Sequence, residues 1–257
     1  PPLERSDFLT GQPLVDGAEI CAGSTYAVTN PATGKTLANV VKLGAAQTRR
    51  AIESNSRAFI DWRKRPAQER ARLLHDWLAL VRLHRHDLGL LMTAEQGKPL
   101  AEALGEVDYA ASFIQWFAEE ARRVYGEVIP ASADRRIVVI RQPVGVVGAI
   151  TPWNFPAAMI TRKVAPALAA GCTMTLKPSE LTPMTAFALA KLALEAGIPP
   201  GVFNVVTGEG AVVGEAMGLS MDVDVLVFTG SGPVGRRLLE YSAKSNLKRV
   251  YLELGGK

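Results

Sequence analysis

Cysteine is scarce in this sequence, and long apolar runs are missing. The two cysteines, Cys21 and Cys172, lie far apart and lack the spacing of metal ligands. We therefore expect neither a disulfide scaffold nor a bound metal, and we place the protein in a reducing compartment, the cytoplasm. No uninterrupted apolar run reaches about 18 residues, and no charged-then-apolar segment opens the chain, so no membrane span and no signal peptide are expected.

Concentrated positive charge is also missing. The net charge is +4, but the basic residues occur as scattered pairs such as Arg49-Arg50 and Arg236-Arg237. These pairs have neither the length nor the aromatic interleaving of a nucleic-acid-binding stretch. We therefore expect solvated basic faces and no nucleic-acid partner.

Apolar residues, in contrast, make up 48% of the 257 residues, which is enough for a sizeable core. In residues 1–123, turn formers surround two short predicted strands, and three stretches with a helical period of apolar residues follow. The predicted strands are 26–28 and 37–41, and the predicted helices are 45–62, 66–92 and 99–125. This part is expected to be an N-terminal, largely helical segment.

Residues 124–141 predict a β-hairpin with strands Val124–Ile129 and Ile137–Arg141. An isolated hairpin is only marginally stable in water. We therefore expect an arm that packs on something else, such as another subunit.

Residues 142–257 alternate short apolar runs with helical segments, which predicts an α/β fold with a Rossmann-like parallel sheet and helices on both faces. Ligands of such sheets bind beyond the carboxyl ends of the strands. The predicted strands are 146–150, 173–176, 202–206, 225–228 and 250–252, and the predicted helices are 156–170, 182–196, 211–219 and 233–245.

The first strand end reads Ile150-Thr151-Pro152-Trp153-Asn154-Phe155-Pro156. Its two prolines hold Asn154 at a strand-to-helix corner. The Asn154 amide could donate to a developing oxyanion, or it could simply cap the next helix.

The second strand end carries Lys177, Ser179 and Glu180. An ammonium and a carboxylate suit the hydroxyls of a ribose, and the carboxylate would repel a 2′-phosphate, which favours NAD over NADP. The alternative is a surface ion pair with Ser179 as a cap.

The third strand end, Gly230-Ser231-Gly232-Pro233-Val234-Gly235, matches G-x-G-x-x-G between a predicted strand and a predicted helix. The helix N-terminus would favour a pyrophosphate. The fourth strand ends at Glu253, which lies 18 residues after Gly235 and could be a ribose ligand or a general base.

These strand ends, in this order, resemble motifs of the aldehyde dehydrogenase superfamily. Further stretches resemble its succinate-semialdehyde dehydrogenase branch, and the resemblance covers essentially the whole chain. The motifs are Pro152–Pro156, Lys177–Glu180, Phe228–Ser231 with Gly235, and Glu253–Lys257, and the further stretches are Glu95–Leu100, Trp116–Glu120 and Met159–Lys163.

The resemblance implies an NAD(P)-dependent oxidation of a small aldehyde, most simply succinate semialdehyde, in a homo-oligomer. It implies that Asn154 donates to the oxyanion and that Glu253, rather than binding ribose, activates water. Arg162, two helical turns beyond Asn154, would clamp the distal carboxylate of the substrate, although it could also be an ordinary ion-paired helix residue. The implied cofactor contacts are Ile150, Thr151, Pro152, Trp153, Lys177, Ser179, Glu180, Gly230, Ser231 and Gly235.

In this family the nucleophile is a cysteine a few dozen residues beyond the Glu-Leu-Gly-Gly motif, and neither Cys21 nor Cys172 matches that place. Residues 142–257 are thus expected to be the cofactor-binding core, without a catalytic domain. A stand-alone nucleotide-binding module and a non-catalytic oligomerising subunit are the two alternatives.

Overall fold

The computed structural model describes residues 3–255, which contain eight α-helices and eleven β-strands. The strands are β1 Leu14–Val15, β2 Ala18–Glu19, β3 Thr25–Thr29, β4 Thr36–Val41, β5 Glu127–Ile129, β6 Ile137–Val139, β7 Val146–Ile150, β8 Thr173–Lys177, β9 Phe203–Val205, β10 Val225–Gly230 and β11 Arg249–Leu254. The helices are α1 Ala45–Trp62, α2 Ala67–Leu83, α3 Arg85–Gln96, α4 Leu100–Glu120, α5 Ala158–Ala169, α6 Met184–Glu195, α7 Gly210–Leu219 and α8 Gly232–Ala243.

A seven-stranded sheet in the order β11-β10-β7-β8-β9-β1-β2 forms the centre of the fold. The five strands from β11 to β9 are parallel to one another, which confirms the predicted α/β class and parallel sheet. Strands β7 and β8 are buried along their whole length, because helices cover both of their faces.

Strands β1 and β2 were not predicted from the sequence. They extend the sheet as an antiparallel pair, in which Leu14 pairs with Val205 of β9. Each strand has two residues, which is too short to display an alternating pattern.

Two apolar clusters hold the layers together. The larger one packs α5 and α6 between the sheet and an outer layer of α2, α3 and α4, with Trp77 and Phe187 among its fully buried side chains. The smaller one packs α1, α7 and α8 on the other face, around Ile52, Met217 and Leu226. None of the helices in residues 3–255 combines the length and the apolarity needed to cross a bilayer.

The predicted helix 66–92 is two helices, which is a correction. The chain leaves helical geometry at His84, whose φ and ψ are −96° and 22°, and α3 starts again at Arg85. The predicted helix 99–125 ends as an α-helix at Glu120, and a single 3₁₀ turn, Ala121–Arg123, follows it.

The predicted hairpin is present, with shorter strands. Strands β5 and β6 pair antiparallel as a separate two-stranded sheet, with Val128 opposite Val138. Every residue of both strands is exposed, so this arm has no packing partner within residues 3–255.

Candidate functional site

The sheet register brings the predicted strand ends together at one edge. Ile150 at the end of β7 lies opposite Lys177 of β8 and Phe228 of β10, and Gly230 lies opposite Leu254 of β11. The loops that follow β7, β8, β10 and β11 therefore leave the same carboxyl edge. This is the edge at which an open parallel sheet binds its ligands.

Lys177 and Glu180 form an ion pair beside the start of α7. The Lys177 Nζ lies 2.8 Å from Glu180 Oε1. Lys177 is only 3% exposed, and this burial lowers its pKa, while Glu180 acts in the opposite sense. Gly210, the first residue of α7, faces the pair closely: a Cβ there would lie 3.5 Å from Glu180 Oε1. The ion pair is thus partly buried next to Gly210 and is not an exposed surface pair.

Ser179 does not cap a helix. Its hydroxyl accepts a hydrogen bond from the Leu181 N–H at 3.2 Å, within the loop that precedes α6. The cap of α6 comes from Glu95, whose carboxylate accepts from the N–H groups of Met184 and Thr185.

Ser231 occupies the N-cap position of α8. Its backbone carbonyl accepts the first helical bond from Gly235 at 3.1 Å, whereas its hydroxyl caps no N–H of the helix. Gly235 itself lies against β11, where a Cβ would come 2.9 Å from a methyl group of Leu254. Gly235 therefore allows α8 to pack closely on the sheet, and Ser231 keeps a hydroxyl available at the helix N-terminus.

A cleft of about 380 Å³ lies beside this edge and contains both predicted catalytic residues. Asn154 lies in the loop after β7 and Glu253 lies in β11, with β10 between these two strands, and both residues contribute to the wall of the cleft. Its lining residues are Pro152, Trp153, Asn154, Phe155, Met159, Thr229, Gly230, Glu253, Leu254 and Gly255. Next to the cleft, the Thr151 hydroxyl is buried without a hydrogen-bond partner in the described chain.

Asn154 is not the cap of the following helix. Its side chain is exposed and makes no hydrogen bond to any residue from 3 to 255, and α5 begins four residues later at Ala158. The first N–H groups of α5 donate instead to Glu106 of α4. The Asn154 amide is therefore free to contact a ligand in the cleft.

Arg162 is ion-paired, and its partner is Glu253. The Arg162 Nη2 lies 2.9 Å from Glu253 Oε1 across the space between α5 and β11. Beside it, the Lys163 ammonium donates to the Thr229 hydroxyl at 2.7 Å. Burial lowers the pKa of Lys163, and the charge of Glu253 opposes that shift. Two cations thus surround the carboxylate predicted to act as a base.

Three of the residues near the site that were missed in the sequence are Gly210, Lys98 and Glu106. Gly210 faces the Lys177–Glu180 pair, and the pattern Gly208-Glu209-Gly210 between a strand and a helix could have indicated it. Lys98 and Glu106 reach the Asn154 corner from the outer helical layer, and no local pattern indicates a contact across 50 residues of chain.

Neither cysteine lies at this edge. Cys172 is buried and precedes β8, so it stands at the amino end of the strand whose carboxyl end is Lys177, about 16 Å away. Burial raises the pKa of the Cys172 thiol. Cys21 is exposed in the N-terminal segment, between β2 and β3.

Comparison with known protein families identifies the family of this chain. Residues 20–257 match the model of the aldehyde dehydrogenase family. The chain belongs to the aldehyde dehydrogenase family. Within this aldehyde dehydrogenase chain, the matched region includes all the strands that bring the candidate site together.

Two curated relatives and one solved structure illustrate the relationship. Succinate-semialdehyde dehydrogenase [NADP(+)] of Escherichia coli is 55% identical over 99% of this chain and 53% of its own length. Glutarate-semialdehyde dehydrogenase of Pseudomonas aeruginosa is 56% identical over the same shares. A crystal structure described as an E. coli NADP-dependent enzyme superimposes with a TM-score of 0.97 at 55% identity, over 99% of this chain and 53% of that one. The aldehyde dehydrogenase chain described here therefore spans about half the length of the relatives it matches.

Proposed function

We propose that this chain binds NAD at the carboxyl edge of its sheet and forms the cofactor-binding part of an aldehyde dehydrogenase that oxidises succinate semialdehyde to succinate. The observation that carries the proposal is the convergence of Lys177, Glu180, Ser231, Asn154 and Glu253 on one edge, in a chain of this family.

The residues present fit a dinucleotide. The Lys177 ammonium can donate to a ribose hydroxyl and the Glu180 carboxylate can accept from one, while the Ser231 hydroxyl and the free N–H groups of α8 suit a pyrophosphate. The unpartnered Thr151 hydroxyl is a further polar group at the same edge. Contacts from Ile150, Pro152, Trp153, Ser179 and Gly230 belong to the same proposal. A dinucleotide held by these residues would supply the hydride acceptor for the oxidation.

The choice between NAD and NADP depends on Glu180. Its carboxylate, already paired with Lys177, repels a 2′-phosphate, and this favours NAD. The printed name of the E. coli relative specifies NADP(+), so NADP is the second candidate ligand.

In the proposed mechanism, the chain's own residues stabilise charge and move a proton. The Asn154 side-chain amide donates to the oxyanion that forms when a cysteine thiolate adds to the aldehyde. The Glu253 carboxylate takes a proton from the water that releases the acid product. Neither Cys172, which lies at the opposite end of β8, nor Cys21 is the proposed nucleophile.

Arg162 is the proposed clamp for the distal carboxylate of the substrate. Its present partner is another carboxylate, Glu253, which lines the cleft that contains Asn154. Both curated relatives named above are semialdehyde dehydrogenases whose substrates end in a carboxylate. A bound substrate carboxylate would compete with Glu253 for this guanidinium.

Isothermal titration of the purified chain with NAD and then NADP tests the proposal. Because each lost hydrogen bond involves a charged group, Lys177→Ala and Glu180→Ala should each weaken NAD binding about tenfold or more. Lys64→Ala, at an exposed lysine, is the matched control. If a folded chain shows no saturable binding of either cofactor, the proposal fails, and a non-catalytic oligomerising subunit becomes the better account.

A further inference from the structure

A buried ion pair lies beneath the corner that presents Asn154. Lys98 belongs to the loop between α3 and α4, and Glu106 belongs to the second turn of α4. Their ammonium and carboxylate groups are in direct contact, and their side chains are 9% and 1% exposed. Both residues come from the outer helical layer, outside the sheet and its strand-end loops.

Glu106 holds the downstream side of the corner. Its Oε1 accepts hydrogen bonds from the N–H of Ala157 at 2.9 Å and of Ala158 at 3.2 Å. Helix α5 has alanine at its N-cap and no local side-chain cap, so these N–H groups would otherwise be buried without partners. A carboxylate from another helix therefore fixes where α5 begins.

Lys98 holds the upstream side of the corner. Its ammonium donates to the Asn154 backbone carbonyl at 3.0 Å and stands 4.4 Å from the centre of the Phe155 ring. These contacts restrain the residue that carries the free amide and its neighbour in the chain.

We propose that Lys98 and Glu106 are positioning residues that hold the Asn154 side chain in place for its ligand. Buried ion pairs are seldom more stabilising than apolar side chains of the same volume, so stability alone does not account for this one. The geometry supplies a reason, since the pair binds the backbone on both sides of one exposed, otherwise unrestrained side chain. The consequence for catalysis rests on the proposed role of Asn154.

The test measures the environment of Asn154 directly in the 257-residue chain by ¹⁵N–¹H NMR. The Asn154 side-chain amide signal is assigned by its loss in Asn154→Asp, and the Trp153 indole signal serves as a second local probe. In Lys98→Met both signals should shift or broaden, while the indole signals of the core residues Trp62 and Trp77 stay in place. Lys64→Met, which removes a lysine from an exposed pair with Asp61, should leave all of these signals unchanged.

A double variant distinguishes positioning of the Asn154 side chain from a general stabilisation of the fold. Lys98→Met leaves the Glu106 carboxylate buried without its partner, so the midpoint of thermal unfolding should fall by about 10 °C. Lys98→Met/Glu106→Gln removes both charges and retains an acceptor for α5, so the midpoint should largely return while the Asn154 signal stays displaced.

Two results would overturn the proposal: an unshifted Asn154 signal in Lys98→Met, or a signal that returns together with the melting midpoint in the double variant. Either would make the pair a structural support only. The NAD titration is read separately on the wild-type chain, so failure of the cofactor proposal would leave the NMR result interpretable.

Discussion

Two glutamates of the outer layer cap two helices of the sheet layer. Glu106 accepts from the start of α5, and Glu95 accepts from Met184 and Thr185 at the start of α6. Both helices follow strand-end loops that carry candidate site residues. Individual side chains thus connect the helical layer to the geometry of the site.

Burial raises the pKa of Glu95 to about 7, against the opposing effect of its hydrogen bonds from Thr185 and Met184. A carboxyl group whose pKa is higher in the folded than in the unfolded protein favours the folded state at low pH, and this contribution is lost as the pH rises through the folded-state pKa. The free energy of unfolding should therefore fall by about 3 kcal/mol as the pH rises from about 4.5 to about 7. Glu95→Gln should remove most of this slope.

Urea unfolding at pH 5 and pH 7.5 measures the effect, with Glu102→Gln at an exposed position of α4 as the control. An identical pH slope in wild type and Glu95→Gln would show that another group titrates.

A second prediction for a single residue concerns Arg162. In an enzyme of the relatives' full length that carries this sequence, Arg162→Gln should raise KM for succinate semialdehyde at least tenfold. The KM for an uncharged aldehyde of similar length should change much less, because that substrate has no distal carboxylate for Arg162 to bind. Steady-state kinetics with both aldehydes checks this; equal changes for both would mean that Arg162 acts through Glu253 alone.

Most of the candidate site could be predicted from the sequence, because its polar residues follow directly on the apolar runs of predicted strands. Lys177, Glu180, Ser231 and Glu253 each follow an apolar run, and parallel strands bring such ends to one edge. Lys98 was not predictable in this way, because its contact with Asn154 depends on how the outer helices pack. No periodicity within a segment contains that information.

At the scale of elements, predictions succeeded where a segment is long and periodic. Helix α1 and the five parallel strands were predicted close to their observed bounds. The break at His84 was missed because apolar residues continue at helical spacing on both sides, through Val81 and Leu88, and no proline or glycine marks it. The pair formed by β1 and β2 depends on strand β9, which lies about 190 residues later in the chain.

The start of β7 depends on Gly145. Its φ is +134°, and a Cβ there would lie 1.8 Å from Asp224 Oδ2, which itself accepts a hydrogen bond from the Val146 N–H. Gly145→Ala should lower the free energy of unfolding by about 2–4 kcal/mol.

Gly105 is the matched control, because it lies exposed within α4 and a Cβ would meet nothing within 4 Å. Gly105→Ala should raise stability by about 0.5–1 kcal/mol. Denaturant unfolding measures the free energy of unfolding of both variants. Similar changes in the two would show that the residues around Gly145 move to accommodate the added methyl group.

At the scale of the whole molecule, the exposed hairpin arm is the surface through which we propose that the chain associates with a second copy. Val128 and Val138 lie opposite each other and are 72% and 56% exposed. Val128→Asp/Val138→Asp should shift the chain towards a monomer, because burying two unpaired carboxylates at an interface is unfavourable. Sedimentation measures this shift. Leu247→Asp, the control, changes an apolar residue elsewhere that is 76% exposed. Unchanged association of the hairpin variant would place the contact on another surface.

The antiparallel pairing of β1 with β9 also constrains when the molecule can fold. Leu14 meets its partner Val205 about 190 residues later in the chain. At a synthesis rate of about 5–20 residues per second, β1 waits roughly 10–40 s on the ribosome before its partner exists. During that interval β1 can pair with β2 along one edge, but its other edge lacks its native partner, so this part of the sheet cannot close until Val205 has been synthesised.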